Sequence, residues 1–301
     1  MRVAILGGTG FIGRALIQYL KQKGDRLILL SRHPEHHRQD PFFTGCTWIP
    51  WPPEEKRLSQ LEQVDVVVNL AGETLNQRWT KRAKEKILKS RVETTRQLVN
   101  LFKSGAMEAP VLINASAIGY YGTSDQQVFT EQDPPGDDFL ARVTQRWEEE
   151  ADQAQTLGLR VVKIRLGVVL GREGGALPRM VLPYRLFMGG TLGSGSQWVS
   201  WIHLEDVLRA IRFAAENSAL EGAVNLTAPH PVQMKVFGQT IANVLHRPHW
   251  LPVPAFPLRV VLGEMSDLLL KGQQVKPVKL VQAGFRYKFE HLEEALRDLI
   301  L

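Results

Sequence analysis

The chain has 301 residues, 44% hydrophobic and 23% charged, with a formal net charge of +6. This excludes a disordered or low-complexity protein and leaves room for one large α/β unit with a lobe attached. One cysteine, Cys46, excludes an internal disulfide and a cysteine-based zinc site, and no metal cluster is expected; Cys46 is expected to pack inside as a small apolar residue.

The chain opens on a β-rich run at 2–6, too short for a secretory signal, which breaks straight into glycines. No run of about 18 apolar residues occurs, and even the greasy stretch 260–270 carries Glu264 and Asp267. A cytoplasmic protein without a membrane partner is therefore expected.

Gly7-Gly8-Thr9-Gly10-Phe11-Ile12-Gly13 follows the first run and leads into a helix expected over 13–23. Strand, glycines, then helix is the context in which this spacing binds a dinucleotide. Glycines allow a tight turn and close approach of the backbone, and the helix start offers N–H groups to a pyrophosphate. Gly7, Thr9, Gly10, Phe11, Ile12 and Gly13 are the candidate cradle.

A second run at 27–30 ends in Ser31-Arg32, with no acid between Arg26 and Pro34. An NAD site places Asp or Glu there for the ribose 2′-hydroxyl. Ser31 and Arg32 suit a 2′-phosphate instead, since a guanidinium forks onto phosphate oxygens. NADP is the expected cofactor.

Further runs at 64–70, 111–115 and 160–166 are continuously apolar, as strands buried on both faces must be. A helix expected over 81–102 separates the first two. The stretch 78–103 holds nine Lys/Arg against two Glu. No aromatic interleaving accompanies the charge, so a nucleic-acid partner is not expected; the cations steer an anionic cofactor or form a solvated face. On a wheel of about 100° per residue Arg91 falls among Ile87, Leu98 and Phe102, whereas Lys81, Lys84 and Lys89 are assigned elsewhere. A guanidinium on an apolar arc requires an anion: a cofactor phosphate or substrate carboxylate, or an internal acid such as Glu73.

The βαβα rhythm reads as α/β, a doubly wound parallel Rossmann sheet with right-handed crossovers. The nucleotide-binding domain is expected over 1–170, with segments near 198–228 returning to the sheet. A smaller C-terminal substrate lobe is expected over 171–301. The glycine-rich stretch 189–195, with Trp198 and Trp201, is a candidate lid.

With Asn69-Leu70-Ala71-Gly72-Glu73, Ser116-Ala117-Ile118-Gly119-Tyr120-Tyr121-Gly122, Arg165-Leu166-Gly167-Val168-Val169-Leu170-Gly171 and Trp201-Ile202-His203-Leu204-Glu205-Asp206 added to the glycine loop, the whole chain resembles the extended short-chain dehydrogenase/reductases. Within them it resembles the atypical epimerase-family group, which carries its own C-terminal region. The resemblance implies that Leu70, Ala71 and Gly72 line the adenosine and phosphates and that Val169 lies near the nicotinamide. It also implies that Ser116 polarises a substrate carbonyl or hydroxyl.

The chain departs from that superfamily at the Tyr-x-x-x-Lys pair, in which Lys lowers the pKa of a catalytic Tyr. Phe139 and Val143 stand there instead. Tyr120 or Tyr121 is the candidate surrogate acid, with packing as the alternative. Arg165 and His203 are candidate substrate contacts, His203 equally a structural histidine. The expected activity is an NADP-dependent oxidoreductase or epimerase on a small molecule, as monomer or homodimer. The alternative is a catalytically silent NADP-binding protein acting through a protein partner, since some relatives carry a cell-division-inhibitor label.

Overall fold

The computed structural model describes residues 1–301. Strands β1 (Arg2–Leu6), β2 (Arg26–Ser31), β3 (Thr47–Pro50), β4 (Val66–Asn69) and β5 (Val111–Ala117) alternate with helices, among them α1 (Phe11–Gln22) and α2 (Lys81–Lys103). The short β6 (Val128–Phe129), helix α3 (Phe139–Asp152) and β7 (Arg160–Leu166) follow. With the strand Gly222–Leu226 they build a seven-stranded sheet, ordered Gly222–Leu226, β7, β5, β4, β1, β2, β3. Every pairing in it is parallel. The fold is the expected doubly wound α/β sheet.

Both faces of the sheet are covered, which is why its strands are continuously apolar. On one face Ile5, Val68, Ile113 and Ile164 pack with Leu16 and Ile17 of α1 and Val207 and Ile211 of α5 (Leu204–Glu216). On the other, Leu6, Val67, Leu112 and Val161 meet Leu98 and Val99 of α2 and Ala151 of α3. The chain runs outward through β1, β2 and β3, then returns to lay β4 beside β1. That reversal opens a crevice beyond the carboxyl ends of β1 and β4. The edge strand β3 escapes the sequence reading because Thr47-Trp48-Ile49-Pro50 is only four residues long and ends in proline.

A separate core gathers Val181 of α4 (Leu177–Arg185), Trp201, Phe237 and Ile241 of α6 (Met234–Leu245), and Leu296 of the helix Leu292–Ile300. Trp201 is fully buried there, and its Nε1 donates to the His230 carbonyl. It belongs to the lobe's interior and not to a lid. Helix α7 (Ala255–Leu262) buries no residue, and Phe256, Val260 and Val261 face outward.

The C-terminal segment is laced to the sheet by side chains. Ser200 Oγ donates to the Gln273 carbonyl at 2.8 Å and accepts from Val275 N at 2.9 Å, while Asn225 Nδ2 donates to the Lys276 carbonyl at 3.0 Å. Asp206, fully buried in the first turn of α5, accepts from Lys288 N and Phe289 N at 2.8 and 2.9 Å. Cys46, expected inside, is half-buried at the edge of the first core, and burial raises its thiol pKa. No helix is long and apolar enough to cross a membrane.

Candidate active site

The cradle follows from two glycines. Gly7 has φ +78°, and a Cβ on it would lie 2.7 Å from the Leu70 carbonyl carbon. A Cβ on Gly13 would lie 2.2 Å from the Gly7 oxygen. The loop between β1 and α1 is therefore packed against the end of β4 at backbone distance. Gly10 starts α1 with no side-chain cap, and no acid stands in the first turn, so its N–H groups and dipole stay available to an anion.

Gly7, Gly10, Phe11, Ile12 and Gly13 open onto one cavity of about 1770 Å³, and Leu70, Ala71, Gly72, Ser116 and Val169 line it too. Thr9 is exposed outside this lining, at the outer edge of the loop. The glycines after Val169 have a packing reason. A Cβ on Gly171 or Gly174 would come within 2.5 or 2.4 Å of the Phe11 ring.

Asn69 fixes the turn into Leu70. Its Nδ2 donates to Asn114 Oδ1 at 2.7 Å and Thr95 Oγ1 at 3.0 Å, and its Oδ1 accepts from Ala71 N at 3.2 Å. At the end of β2, Ser31 Oγ accepts from His33 N at 3.2 Å. Arg32 is exposed and makes no ion pair within the chain.

Arg91 lies where the wheel put it, over Trp147 and against Gly72. Its Nη1 donates to the Glu73 and Ile87 carbonyls at 3.0 and 3.1 Å. The internal acid considered for it is thus not a direct partner: Glu73 offers its backbone oxygen, and no carboxylate forms an ion pair with Arg91. Burial lowers the guanidinium to about 10, with the charge of Glu73 opposing the shift. A guanidinium so desolvated, held by carbonyls and by no carboxylate, would be stabilised by an anion. Lys84, assigned away from the arc of Arg91, instead lines the cavity, 5.1 Å from the Phe139 ring and paired with Glu264. It lies on the same side of α2 as Arg91, and the earlier assignment misplaced it.

Ser116, at the end of β5, is buried and donates from Oγ to Glu148 Oε1 at 2.6 Å. Glu148 is gripped by Arg165, Nε to Oε1 at 2.8 Å and Nη2 to Oε2 at 2.9 Å. Arg165 Nη1 donates to the Tyr121 hydroxyl at 2.8 Å, which donates in turn to Asn225 Oδ1 at 2.7 Å. This chain corrects three expectations. Arg165 has its donors taken by Glu148 and Tyr121 and lies outside the cavity lining, so it does not reach a substrate. Tyr121 touches the cavity, yet its hydroxyl already accepts from Arg165 and donates to Asn225, and burial pushes its phenol up to about 12, the packing alternative of the two. Tyr120 stacks under Arg165, 3.5 Å from ring centroid to guanidinium carbon, outside the lining.

His203 is the structural histidine of the two alternatives. Its Nδ1 accepts from Glu205 N at 3.0 Å and caps α5, its ring stacks on Phe289, and it does not line the cavity. Burial lowers its pKa against the charges of Asp298 and Asp206. Phe139 lines the cavity in a T-shaped contact with Trp79, and Val143, also in the lining, is buried. His230, Glu290 and His291 meet on the exposed surface outside the cavity, a grouping the sequence did not suggest.

Glu148 is the functional residue that the sequence reading missed. Ala141, Thr144, Glu148 and Ala151 share the buried face of α3. An acid on that apolar stripe is the same signal that drew attention to Arg91.

The family model described as the NAD dependent epimerase/dehydratase family matches residues 3–226, and a domain of unknown function matches 253–299. The epimerase family protein YfhF of Bacillus subtilis is 46% identical over 302 residues, covering 100% of this chain and 98% of that one. A crystal structure of human epimerase family protein SDR39U1 with NADPH superposes with a TM-score of 0.87 at 34% identity, covering 99% of each chain. The UDP-glucuronic acid 4-epimerase of Bacillus cereus in complex with NAD shares the fold, with a TM-score of 0.78 at 15% identity over 100% of this chain and 98% of that one. With a cradle at the sheet's reversal, a buried serine at the end of β5 and the matches above, this chain belongs to the NAD dependent epimerase/dehydratase family, as an atypical extended short-chain dehydrogenase/reductase.

Proposed function

We propose that the protein is an NADP(H)-dependent oxidoreductase or epimerase acting on a small molecule. The observation that carries the reading is the continuity of one cavity from the Gly7–Gly13 cradle, through Arg91, to Ser116. The residues fit the cofactor: two glycines press the loop onto β4 so closely that no Cβ fits, and the guanidinium of Arg91 lacks an anion beside Gly72. Arg32, free at the end of β2, suits a 2′-phosphate, and the human relative was crystallised with NADPH. Bound here, NADP(H) supplies hydride acceptance and donation.

The chain's own residues manage the proton. Ser116 gives its hydrogen to Glu148, so the lone pairs of Oγ are left to accept a substrate hydroxyl. As hydride leaves the substrate carbon, the hydroxyl proton passes to Oγ and the serine proton to Glu148 Oε1. The reverse relay protonates a reduced carbonyl. Arg165 holds both carboxylate oxygens and orients Glu148. Phe139 and Trp79 exclude water from the side where a tyrosine would otherwise stand.

The experiment is a titration with NADPH and NADH, read by nicotinamide fluorescence, on the chain and its Arg32→Glu variant. NADPH is expected to bind at least tenfold tighter, a preference of about 1.4 kcal/mol, and Arg32→Glu to erase it. Binding of neither cofactor overturns the reading. Phe139 and Val143 at the usual acid/base positions favour a second reading, a silent NADP-binding regulator with a protein partner. That reading stands if NADPH binds and Ser116→Ala changes no function of the protein.

A further inference from the structure

Four of the chain's six methionines, Met180, Met188, Met234 and Met265, line this one cavity. They come from α4 and the loop directly after it, from α6 and from the turn after α7, stretches spread between residues 180 and 265. Leu192, Phe237, Ile241, Val253 and Leu269 share that wall. Tyr184, its one phenol, has its hydroxyl engaged by His249 Nδ1 at 3.0 Å. A close backbone approach holds the wall in place, since a Cβ on Gly190 would lie 1.8 Å from the Leu251 oxygen.

Charge is confined to a few lining residues of this half. Glu264 pairs with Lys84, and Asp267 with Lys271 at 2.9 Å. Arg179 is exposed and makes neither an ion pair nor a side-chain hydrogen bond within the chain.

A sugar or nucleotide brought against thioethers and aliphatic carbons would lose water from its hydroxyls without replacement partners. An aliphatic chain in the same place gains with every methylene buried. Methionine side chains, unbranched and polarizable, reshape around chains of differing length.

We infer that the C-terminal half of the cavity receives the apolar tail of an amphipathic substrate, an extended aliphatic chain whose anionic group meets Arg179. This rests on the cofactor reading above and gives its substrate a class. The apolar wall, the cradle and Ser116 line one cavity, so the oxidised or reduced carbon belongs to the tail-bearing molecule.

The test uses dansylaminoundecanoic acid as the fluorescent probe, with the full chain in saturating NADPH. One saturable site per chain is expected, with blue-shifted emission. Met180→Arg is expected to weaken the probe about tenfold or more while NADPH affinity, read separately, stays within about twofold. Arg179→Glu, at an exposed position, is expected to weaken the acid about tenfold and its methyl ester little. Three results would overturn the inference. The first is no saturable binding by a chain that binds NADPH. The second is a probe affinity indifferent to both variants, which would place the probe on the outer face of α7. The third is UDP-glucuronic acid bound in a Met180-dependent way without displacement by the free aliphatic acid. Retained probe binding with NADPH binding lost strikes the cofactor reading instead.

Discussion

The two halves of the cavity are built on opposite plans. The sheet half is made by residues at the carboxyl ends of neighbouring parallel strands: Gly7 after β1, Leu70 after β4, Ser116 on β5. Their positions are fixed by the backbone ladder, and their polar groups are tied in pairs, as Asn69 is to Asn114 and Glu148 to Arg165. The lobe half is made by methionine and leucine on short helices, one of which, α7, buries nothing. Fixed polar geometry serves a reaction, which tolerates small errors poorly; pliable apolar walls serve a ligand of variable shape. In the reading proposed above, chemistry belongs to one end and selection to the other.

The largest expected disruption lies in the sheet half. Gly13→Val would force side-chain carbon onto the Gly7 oxygen, where even a Cβ stands at 2.2 Å. NADPH binding is expected to fall more than about hundredfold, and titration beside a circular-dichroism melt separates lost binding from lost fold. A variant that still binds would show the loop to be as pliable as the lobe. Next comes Glu148→Leu, which strands a buried guanidinium on Arg165. Removing one partner of such a pair costs about 3–5 kcal/mol, to be read from urea unfolding.

The smallest effect is a pH dependence. Burial and the cap bond to Nδ1 keep His203 neutral, with its folded pKa below the unfolded one. As pH falls, the unfolded chain takes the proton first, so stability is full above the unfolded pKa near 6.5 and declines as pH drops through the folded value. His203→Asn retains a capping oxygen and is expected to remove that part of the acid decline. Denaturant melts of both proteins between pH 5 and about 7 check it; identical pH slopes would show that the histidine stays neutral for no cost.

The sheet half was legible in the sequence because each element is local. A strand run, glycines at fixed spacing and a helix start lie within a dozen residues, and parallel pairing follows from the rhythm. Arg91 was legible because a cation on an apolar arc is conspicuous. Glu148 was less legible, because its partners Ser116 and Arg165 lie on β5 and β7, 32 and 17 residues away. Arg165 and His203 as candidate substrate contacts, and Tyr121 as a candidate acid, could not be weighed against structural roles in the sequence, because their partners, Glu148, Glu205 with Asp298, and Asn225, meet them only in the folded chain. The methionine wall gave no signal, since its members lie up to 85 residues apart, from Met180 to Met265. No periodicity links them.

The buried carboxylate of Asp206 bears on how the chain melts. It accepts two backbone N–H groups from residues 288 and 289, while Ser200 and Asn225 hold the backbone of 273–276. Detaching the C-terminal segment would bare a fully buried anion and orphan several amides together, a penalty too steep to meet piecemeal. The two stretches matched by separate family models, 3–226 and 253–299, are therefore expected to open in a single calorimetric transition; two resolved transitions would show a seam between 226 and 253.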